Sequence, residues 1–482
     1  MDYKPLQIMK FGGTSVADAE CIARAASNLS KASEKARVIA VVSALQGVTD
    51  RLIETAKLSE TGNQNAADEM ARILYTQHES AIMRLIPDAA VRTQLLSETT
   101  RIIGHAGSLC RGTALLRELT PRSLDAISGI GEKLSARILA ATLSLMGVES
   151  IAIDATEIIV TNDTHGRAEP LLEPTQQQAR AGLEPLLKEG ILPVVTGFIA
   201  ATAQGVPTTL GRGGSDYTAT ILGGALSADE VIIWTDVDGV LTADPRLVPD
   251  ARIIAKISYA EAAELAHFGA KVLHPKTLCP VINAQIPVWI RNSYAPHQVG
   301  TQISVRANGP QVGVKAITAI KGVDLITVGG PAIMAVPDLV AQTFAAVARA
   351  QINVLLISQS SSQNDLCFVV HSEDTRRTTN ALNEVFSTKG DDGVDYVRVD
   401  SSLAIVAIVG ERMRGMPGIA GRAFSALGRE RINIIAIAQG ASEYSISFVI
   451  KLTEMQRAVC TIHSEFDLAR GNRIAEDKES GL

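Results

Sequence analysis

The stretch Gln7–Glu20, QIMKFGGTSVADAE, reads as an apolar strand that runs into a glycine pair, then Thr14 and Ser15, then a helical run. That is the outline of a phosphate-binding turn, in which backbone N–H groups at a helix N-terminus meet an anion. Its lysine, Lys10, comes before the glycines. In a P-loop the lysine follows them, and a dinucleotide turn would show G-x-G-x-x-G. The stretch is therefore a strand–turn–helix unit with its cation at the strand end. A plain βα turn with a solvated lysine is the competing reading. Ser15 reads as the helix N-cap, with Asp18 in the box position.

The surroundings repeat this unit. The segments RVIAVVSAL (37–45), ESIAIDAT (149–156), ILPVVTGFIA (191–200), EVIIWTDV (230–237) and IPVWIRNS (286–293) read as buried strands between helical patterns. They predict a mostly parallel sheet with helices on both faces, and ligands at the C-terminal strand ends. Apolar residues make up 46% and aromatics 4%, so the core is built from Ala, Val, Ile and Leu. Residues 49 to about 117 lack strands and read as a helical insertion. With 482 residues, two or three domains are expected.

From about Val305 the pattern changes to a repeat. FAAVARAQINVLLISQSSSQNDLCFVV begins at Phe344 and FSALGRERINIIAIAQGASEYSISFVI at Phe424, an offset of 424 − 344 = 80. Each copy reads helix, strand, polar turn, strand, which predicts a pair of small βαβ-type modules joined by the exposed STKGDDGVDY. Asn353 and Gln359 in the first copy match Asn433 and Gln439 in the second.

Charge and cysteine usage exclude several classes. The net charge is −6 with no basic block, which argues against nucleic acid as a partner. The five cysteines are scattered without C-x-x-C, which fits reduced thiols in the cytoplasm and neither a disulfide framework nor a zinc site. No signal-peptide pattern opens the chain, and no apolar run is long enough to span a membrane.

Four further stretches carry chemistry. TLGRGGSDYTAT (209–220) is a second glycine turn opening a helix; it holds Arg212, suited to carboxylate or phosphate, and Asp216, with Ser215 reading as the cap. IIWTDVDGVLTADPRLVPDARII (232–254) ends a strand at Thr235 and Asp236, then presents Asp244 and Arg246; Asp238-Gly239 reads as a simple turn. AHFGAKVLHPKTL (266–278) sets Lys271 in an apolar run, where it needs an anion, and His274 before a proline, as a structural hydrogen-bonder. Glu132 lies at the start of a helix, where capping and substrate binding are both open readings. There is no Ser-His-Asp order and no H-E-x-x-H. Two lysines, an arginine, carboxylates and glycine turns form a set for positioning and neutralising a transferred phosphoryl group.

In this order, KFGGTSVAD, VVSALQGVTD, TLGRGGSDYTAT, WTDVDGVLTADPR and FGAKVLHPKTL closely resemble the aspartate kinases of the amino acid kinase superfamily, over essentially the whole chain. TNDTHGRAEP (161–170) matches another family segment, and the tail resembles that family's paired ACT domains. The resemblance implies an α/β amino acid kinase fold, a mostly parallel sheet sandwiched by helices, over 1–305. It implies α+β ACT domains (βαββαβ) over 306–395 and 396–482, with interleaving of the two left open. It implies MgATP and L-aspartate as substrates, 4-phospho-L-aspartate and ADP as products, and a first step toward lysine, threonine and methionine.

The same resemblance assigns roles. Lys10 and Lys271 would approach the ATP phosphates, Gly12, Gly13 and Thr14 would let the backbone approach, and Asp216 would orient Lys10. Thr49, Glu132, Arg212 and Ser215 match aspartate-binding positions, with Glu132 on the amino group and Arg212 on the α-carboxylate. Thr235, Asp236, Asp244 and Arg246 match the nucleotide loop. Mg²⁺ would arrive with ATP, without a dedicated protein site. Asn353, Gln359, Asn433 and Gln439 match effector positions of the threonine-responsive bifunctional members, with lysine the alternative effector. A homodimer or homotetramer through the ACT domains is implied. Leu241 departs from the family, which often has an aromatic residue there. The chain stops at Leu482, which leaves no room for a second catalytic domain of the homoserine dehydrogenase type. Another amino acid kinase, or an amino-acid sensor with an inactive kinase domain, are the alternative readings.

Overall fold

The computed structural model describes residues 4–270, 273–305, 313–330, 336–359, 365–386, 396–413, 415–440 and 442–470. The chain divides into two units. One is Met1–Val240, Ala255–Tyr259 and Leu273–Ala307; the other is Leu241–Ile254, Ala260–Val272 and Asn308–Leu482. Among the described residues no helix is long and apolar enough to cross a membrane.

The first unit begins with β1 (Leu6–Phe11), α1 (Ala19–Ser33), β2 (Arg37–Val42), α2 (Val48–Glu60), α3 (Asn65–Leu85), α4 (Ala89–Leu116), α5 (Pro121–Ser128) and α6 (Ile130–Leu145). It continues with β3 (Ser150–Ile153), β4 (Val160–Thr161), α7 (Leu172–Glu189), β5 (Leu192–Thr196), β6 (Ile199–Thr202), β7 (Pro207–Thr209), α8 (Gly214–Leu226), β8 (Glu230–Thr235) and β9 (Lys256–Ser258). The first unit resumes, after α9 (Tyr259–His267), which from Ala260 belongs to the second unit, with α10 (Pro275–Ile282), β10 (Val288–Asn292) and β11 (Thr301–Ser304). The large sheet has the order β3-β5-β2-β1-β8-β10-β11-β9. Every neighbouring pair is parallel except β10 with β11. β1 thus sits mid-sheet, with Ile8 and Phe11 fully buried and Lys10 carried toward its C-terminal end. The insertion is helical as expected, built from α2, α3 and α4.

Two local expectations are corrected. ILPVVTGFIA is not one strand: β5 belongs to the large sheet and β6 to a small sheet β4-β6-β7. The break is Gly197-Phe198, where Phe198 takes φ +70. A Cβ at Gly197 would lie 2.6 Å from the Ser215 side chain, so only glycine lets this corner approach the 211–215 turn. Ser15 is not the cap of α1. A 3-10 turn over Gly13–Val16 delays the helix, and the Asp18 carboxylate accepts the Cys21 N–H at 2.9 Å instead.

The second unit comprises β12 (Ala316–Gly329), α11 (Val336–Arg349), β13 (Leu356–Gln359), β14 (Asp365–His371), α12 (Thr375–Phe386), β15 (Tyr396–Val409), α13 (Ile419–Arg429), β16 (Ala436–Gln439), β17 (Ser445–Lys451) and α14 (Met455–Glu465). One antiparallel sheet runs β13-β14-β12-β15-β17-β16. β12 and β15 pair along their length, with register shifts between Lys321 and Leu325. On one side of the shift Ile317 joins Val406, Phe448, Leu427 and Ile462 in a core. On the other side Ile326 and Val328 join Phe368, Val347 and Leu382. The two modules therefore share both long strands, and the first is threaded between the halves of the second. Their packing repeats at the offset read in the sequence: Phe344–Phe368 centroids are 5.8 Å apart and Phe424–Phe448 6.0 Å.

Gly131 offers a test of the first unit. A Cβ there would lie 2.5 Å from Ala44 Cβ and 2.8 Å from Val48 Cγ1, pushing α6 off the turn before α2. Overpacking costs about 1–3 kcal/mol, against a helix-propensity gain of about 1 kcal/mol for Gly→Ala. Gly131→Ala is expected to lower the urea midpoint of the first unit, read by circular dichroism; an unchanged midpoint would show that the contact relaxes freely.

Candidate active site

The C-terminal ends of β1, β2 and β8 and the first turns of α2, α6 and α8 line a cleft of about 540 Å³. The three helices share a feature. Their N-caps are Gly47, Gly129 and Gly213, none of which supplies a side-chain acceptor. The first N–H groups and the positive dipole ends of these helices are thus free of a capping side chain. Gly47 and Gly213 hold φ +79 and +69, a left-handed conformation that favours glycine. Lys10 and Arg212 add positive charge, so the cleft suits an anionic ligand.

Lys10 is buried on β1, and its Nζ lies 2.5 Å from Asp216 Oδ1 in the first turn of α8. The contact is closed by charge and not by good hydrogen-bond angles. A Cβ at Gly12 would come within 3.1 Å of Lys10 Nζ, so glycine keeps room beside the ammonium. The turn is braced from below. Ser15 Oγ meets Ser293 Oγ at 3.0 Å, Ser293 Oγ donates to Thr235 O at 3.1 Å, and Tyr294 OH donates to Thr14 O at 3.1 Å.

Glu132, in the first turn of α6, is 3% exposed. Its Oε1 accepts the Ala44 N–H at 3.2 Å, while Oε2 is buried without a hydrogen-bond partner. Burial pushes this carboxyl up to about 7, against a smaller opposing pull from the Ala44 N–H. An unpaired carboxylate oxygen in a cleft is a ready acceptor for an ammonium group. Arg212, between two left-handed glycines, is exposed and has no partner among the described residues.

The cleft brings together Lys10, Gly12, Gly13, Thr14, Thr49, Glu132, Arg212, Ser215, Asp216 and Thr235. Ser215 is buried in α8 but does not cap it, because Gly213 occupies that place. Thr235 Oγ1 donates to Asp236 Oδ1 at 3.1 Å at the end of β8. Asp244 and Arg246 lie in the second unit, where the guanidinium clasps the carboxylate at 2.6 Å. Lys271 lies outside the described residues. His274 caps α10, accepting the Lys276 N–H at 3.3 Å. Asn353, Gln359, Asn433 and Gln439 are exposed, the glutamines ending β13 and β16 at equivalent positions. Gln439 borders a cavity of about 350 Å³ with Glu443 and the start of α13. Asp125, His165 and Thr209 form a buried network that the sequence reading passed over. Its signal was TNDTHGRAEP, a polar run without periodicity.

Comparison with known proteins agrees with this geometry. The profile of the amino acid kinase family matches residues 5–292, and that of the ACT domain matches 326–386 and 406–466. The chain is 33% identical over 471 residues to the chloroplastic bifunctional aspartokinase/homoserine dehydrogenase 1 of Arabidopsis thaliana, covering 96% of this chain and 51% of that protein. It spans about half the length of the bifunctional relatives it matches. It is also 33% identical over 464 residues to lysine-sensitive aspartokinase 3 of Escherichia coli, covering 95% and 98%. Among solved structures it resembles E. coli aspartokinase III in complex with aspartate and ADP, with 32% identity, a TM-score of 0.80, and 95% and 99% coverage. The lysine and aspartate complex of that enzyme gives a TM-score of 0.79 at 32% identity, covering 96% and 99%.

The raised Glu132 carboxyl makes a prediction about the unliganded protein. A group whose folded value lies above its unfolded one favours the fold below the unfolded value, and that contribution is lost as pH rises through the folded value. Stability should therefore fall between about pH 4.5 and 7 by on the order of 3 kcal/mol at most. Glu132→Gln should flatten that slope in urea titrations across this range. Equal slopes in both proteins would mean that Glu132 ionises normally.

Proposed function

This chain belongs to the aspartokinases of the amino acid kinase family, and on that premise we propose that it phosphorylates the β-carboxylate of L-aspartate with MgATP. The carrying observation is the cleft that sets the Lys10–Asp216 pair in one cavity with Glu132, whose Oε2 has no partner, and with Arg212. A β-carboxylate oxygen attacks the γ-phosphorus, the bond to the ADP oxygen breaks, and 4-phospho-L-aspartate and ADP result. No base is needed, because an aspartate side chain with a pKa near ~3.9 is already ionised. Protein groups position the reactants and neutralise charge.

In this reading Lys10 and Lys271 meet the phosphates, and Asp216 orients Lys10. Gly12, Gly13 and Thr14 admit the phosphate chain. Glu132 takes the aspartate amino group, Arg212 its α-carboxylate, and Thr49 and Ser215 complete that subsite. Thr235, Asp236, Asp244 and Arg246 serve the nucleotide. Mg²⁺ rides on the ATP phosphates. Among the described residues no grouping of three or more His, Cys, Asp or Glu could hold a metal, whereas Mg²⁺ on nucleotides needs only one or two carboxylates. We assign the catalytic domain to 1–305 and the ACT domains to 306–395 and 396–482, with the N-terminal half of β12 packing into the second ACT core, which supports interleaving of the two. Five unpaired cysteines suit a reducing cytoplasm.

The tail is read as the feedback device of an enzyme at the head of lysine, threonine and methionine synthesis. An end-product amino acid would bind near Gln359 and Gln439, with threonine favoured and lysine the alternative. The amino-acid-sized cavity beside Gln439 supports this, because the N-terminus of α13 there suits a carboxylate. The edge strands β13 and β16 leave Ile357 and Ile437 about half exposed, which supports assembly of copies into a dimer or tetramer through the ACT domains.

ADP release measured with MgATP should require L-aspartate, and Lys10→Ala should lower kcat by on the order of 100-fold or more. Turnover without aspartate, or undiminished turnover in Lys10→Ala, would overturn the assignment. In the same assay L-threonine should inhibit, and Gln439→Ala should weaken that inhibition. Inhibition by lysine alone would keep the enzyme and replace the effector.

A further inference from the structure

We infer that Asp125, acting with Thr209 and His165, is a positioning residue that fixes the span between the groups holding the two ends of the amino acid substrate. This rests on the aspartate kinase reading of the cleft. Asp125 lies on α5 and is 3% exposed. Its Oδ1 accepts the Thr209 hydroxyl at 2.6 Å, its Oδ2 meets His165 Nδ1 at 2.7 Å, and Gly166 N lies 3.0 Å from both oxygens. A buried carboxylate with this many donors holds them tightly, because leaving it unpaired is costly.

The acceptor Asp125 and its donor Thr209 sit on segments distant in sequence, and each leads straight to the cleft. On one side, Gly129 both ends α5 and caps α6, so Glu132 follows Asp125 with no intervening loop. That junction is pressed on β6, where a Cβ at Gly129 would lie 2.3 Å from Ile199 Cγ2. On the other side, Thr209 ends β7 and Arg212 comes three residues later. The 162–170 loop is wedged between: Ala168 N donates to Thr209 O at 2.9 Å, and a Cβ at Gly211 would lie 3.1 Å from Gly166 O. One carboxylate thus ties the helix pair that carries Glu132 to the strand that leads into Arg212. The ammonium and carboxylate of an α-amino acid stand at a fixed separation, so a site that reads both needs such a tie. Lys10 and the turn after β1 have no part in it.

The test compares wild type, Thr209→Val and Thr209→Ser. Steady-state kinetics would give KM for aspartate and ATP, and calorimetric titration would give aspartate binding without turnover. Thr209→Val keeps the shape and deletes the donor; it should raise both KM and Kd for aspartate roughly tenfold or more, because the lost bond is to a charged group. KM for ATP should stay within about twofold, and Thr209→Ser, which keeps the hydroxyl, should restore aspartate affinity. Should Thr209→Val not fold, His165→Gln is measured in its place with the same expectation. Unchanged aspartate KM, or a parallel rise in both KM values that Ser does not rescue, would overturn the inference and leave the network a purely structural one. If wild type itself neither binds nor phosphorylates aspartate, the functional reading falls, and this inference with it.

Discussion

A lysine ammonium cannot be buried at the end of a central strand without an anion beside it. That constraint organises the catalytic unit. β1 delivers Lys10 into the sheet interior, and Asp216 meets it at 2.5 Å. The carboxylate does so from the first turn of α8, which starts where β1 ends. Each partner is flanked by a glycine: a side chain at Gly12, after β1, would crowd the ammonium, and one at Gly213, before α8, would strain the backbone. The placement of α8 against the end of β1 thus answers to one charge.

The rest of the cleft applies one device three times. Helices α2, α6 and α8 begin at glycines, where Ser, Asp or Asn would otherwise satisfy the first N–H groups. α1 and α4, which start away from the cleft, have Asp18 and Asp88 in that role. α3 and α7, also away from the cleft, likewise start without a capping side chain, so the glycine starts at the cleft matter for the room they leave rather than for a missing cap alone. Glu132 adds the complementary device, a carboxylate whose second oxygen is buried without a partner. The unliganded cleft therefore holds an unmet acceptor, Glu132 Oε2, beside helix starts that carry no capping side chain.

Much of this was legible in the residues. Strands, the helical insertion and the repeat at an offset of 80 follow from periodicity, which reports burial directly. Lys10, Arg212 and Asp216 stood out because charged residues inside glycine turns have few structural reasons to be there. Three things were not legible. The break in ILPVVTGFIA depends on Gly197 touching Ser215, a contact between segments distant in sequence. The displaced cap at Asp18 depends on a 3-10 turn of four residues, below the resolution of any pattern. Asp125 reads as an ordinary helix residue until Thr209 and His165 converge on it. All three depend on tertiary contacts rather than on local composition.

The shared strands of the second unit have a consequence beyond architecture. β12 and β15 each run unbroken through both module cores, changing register only between Lys321 and Leu325. A chain that crosses two cores cannot melt in one and stay docked in the other without tearing its own ladder. The pair is in that sense a single cooperative body with two faces. A ligand that tightens either face stabilises the common strands, and by reciprocity its own affinity carries the state of the other. Two cores built in this way share one equilibrium, so a ligand on either would act on both.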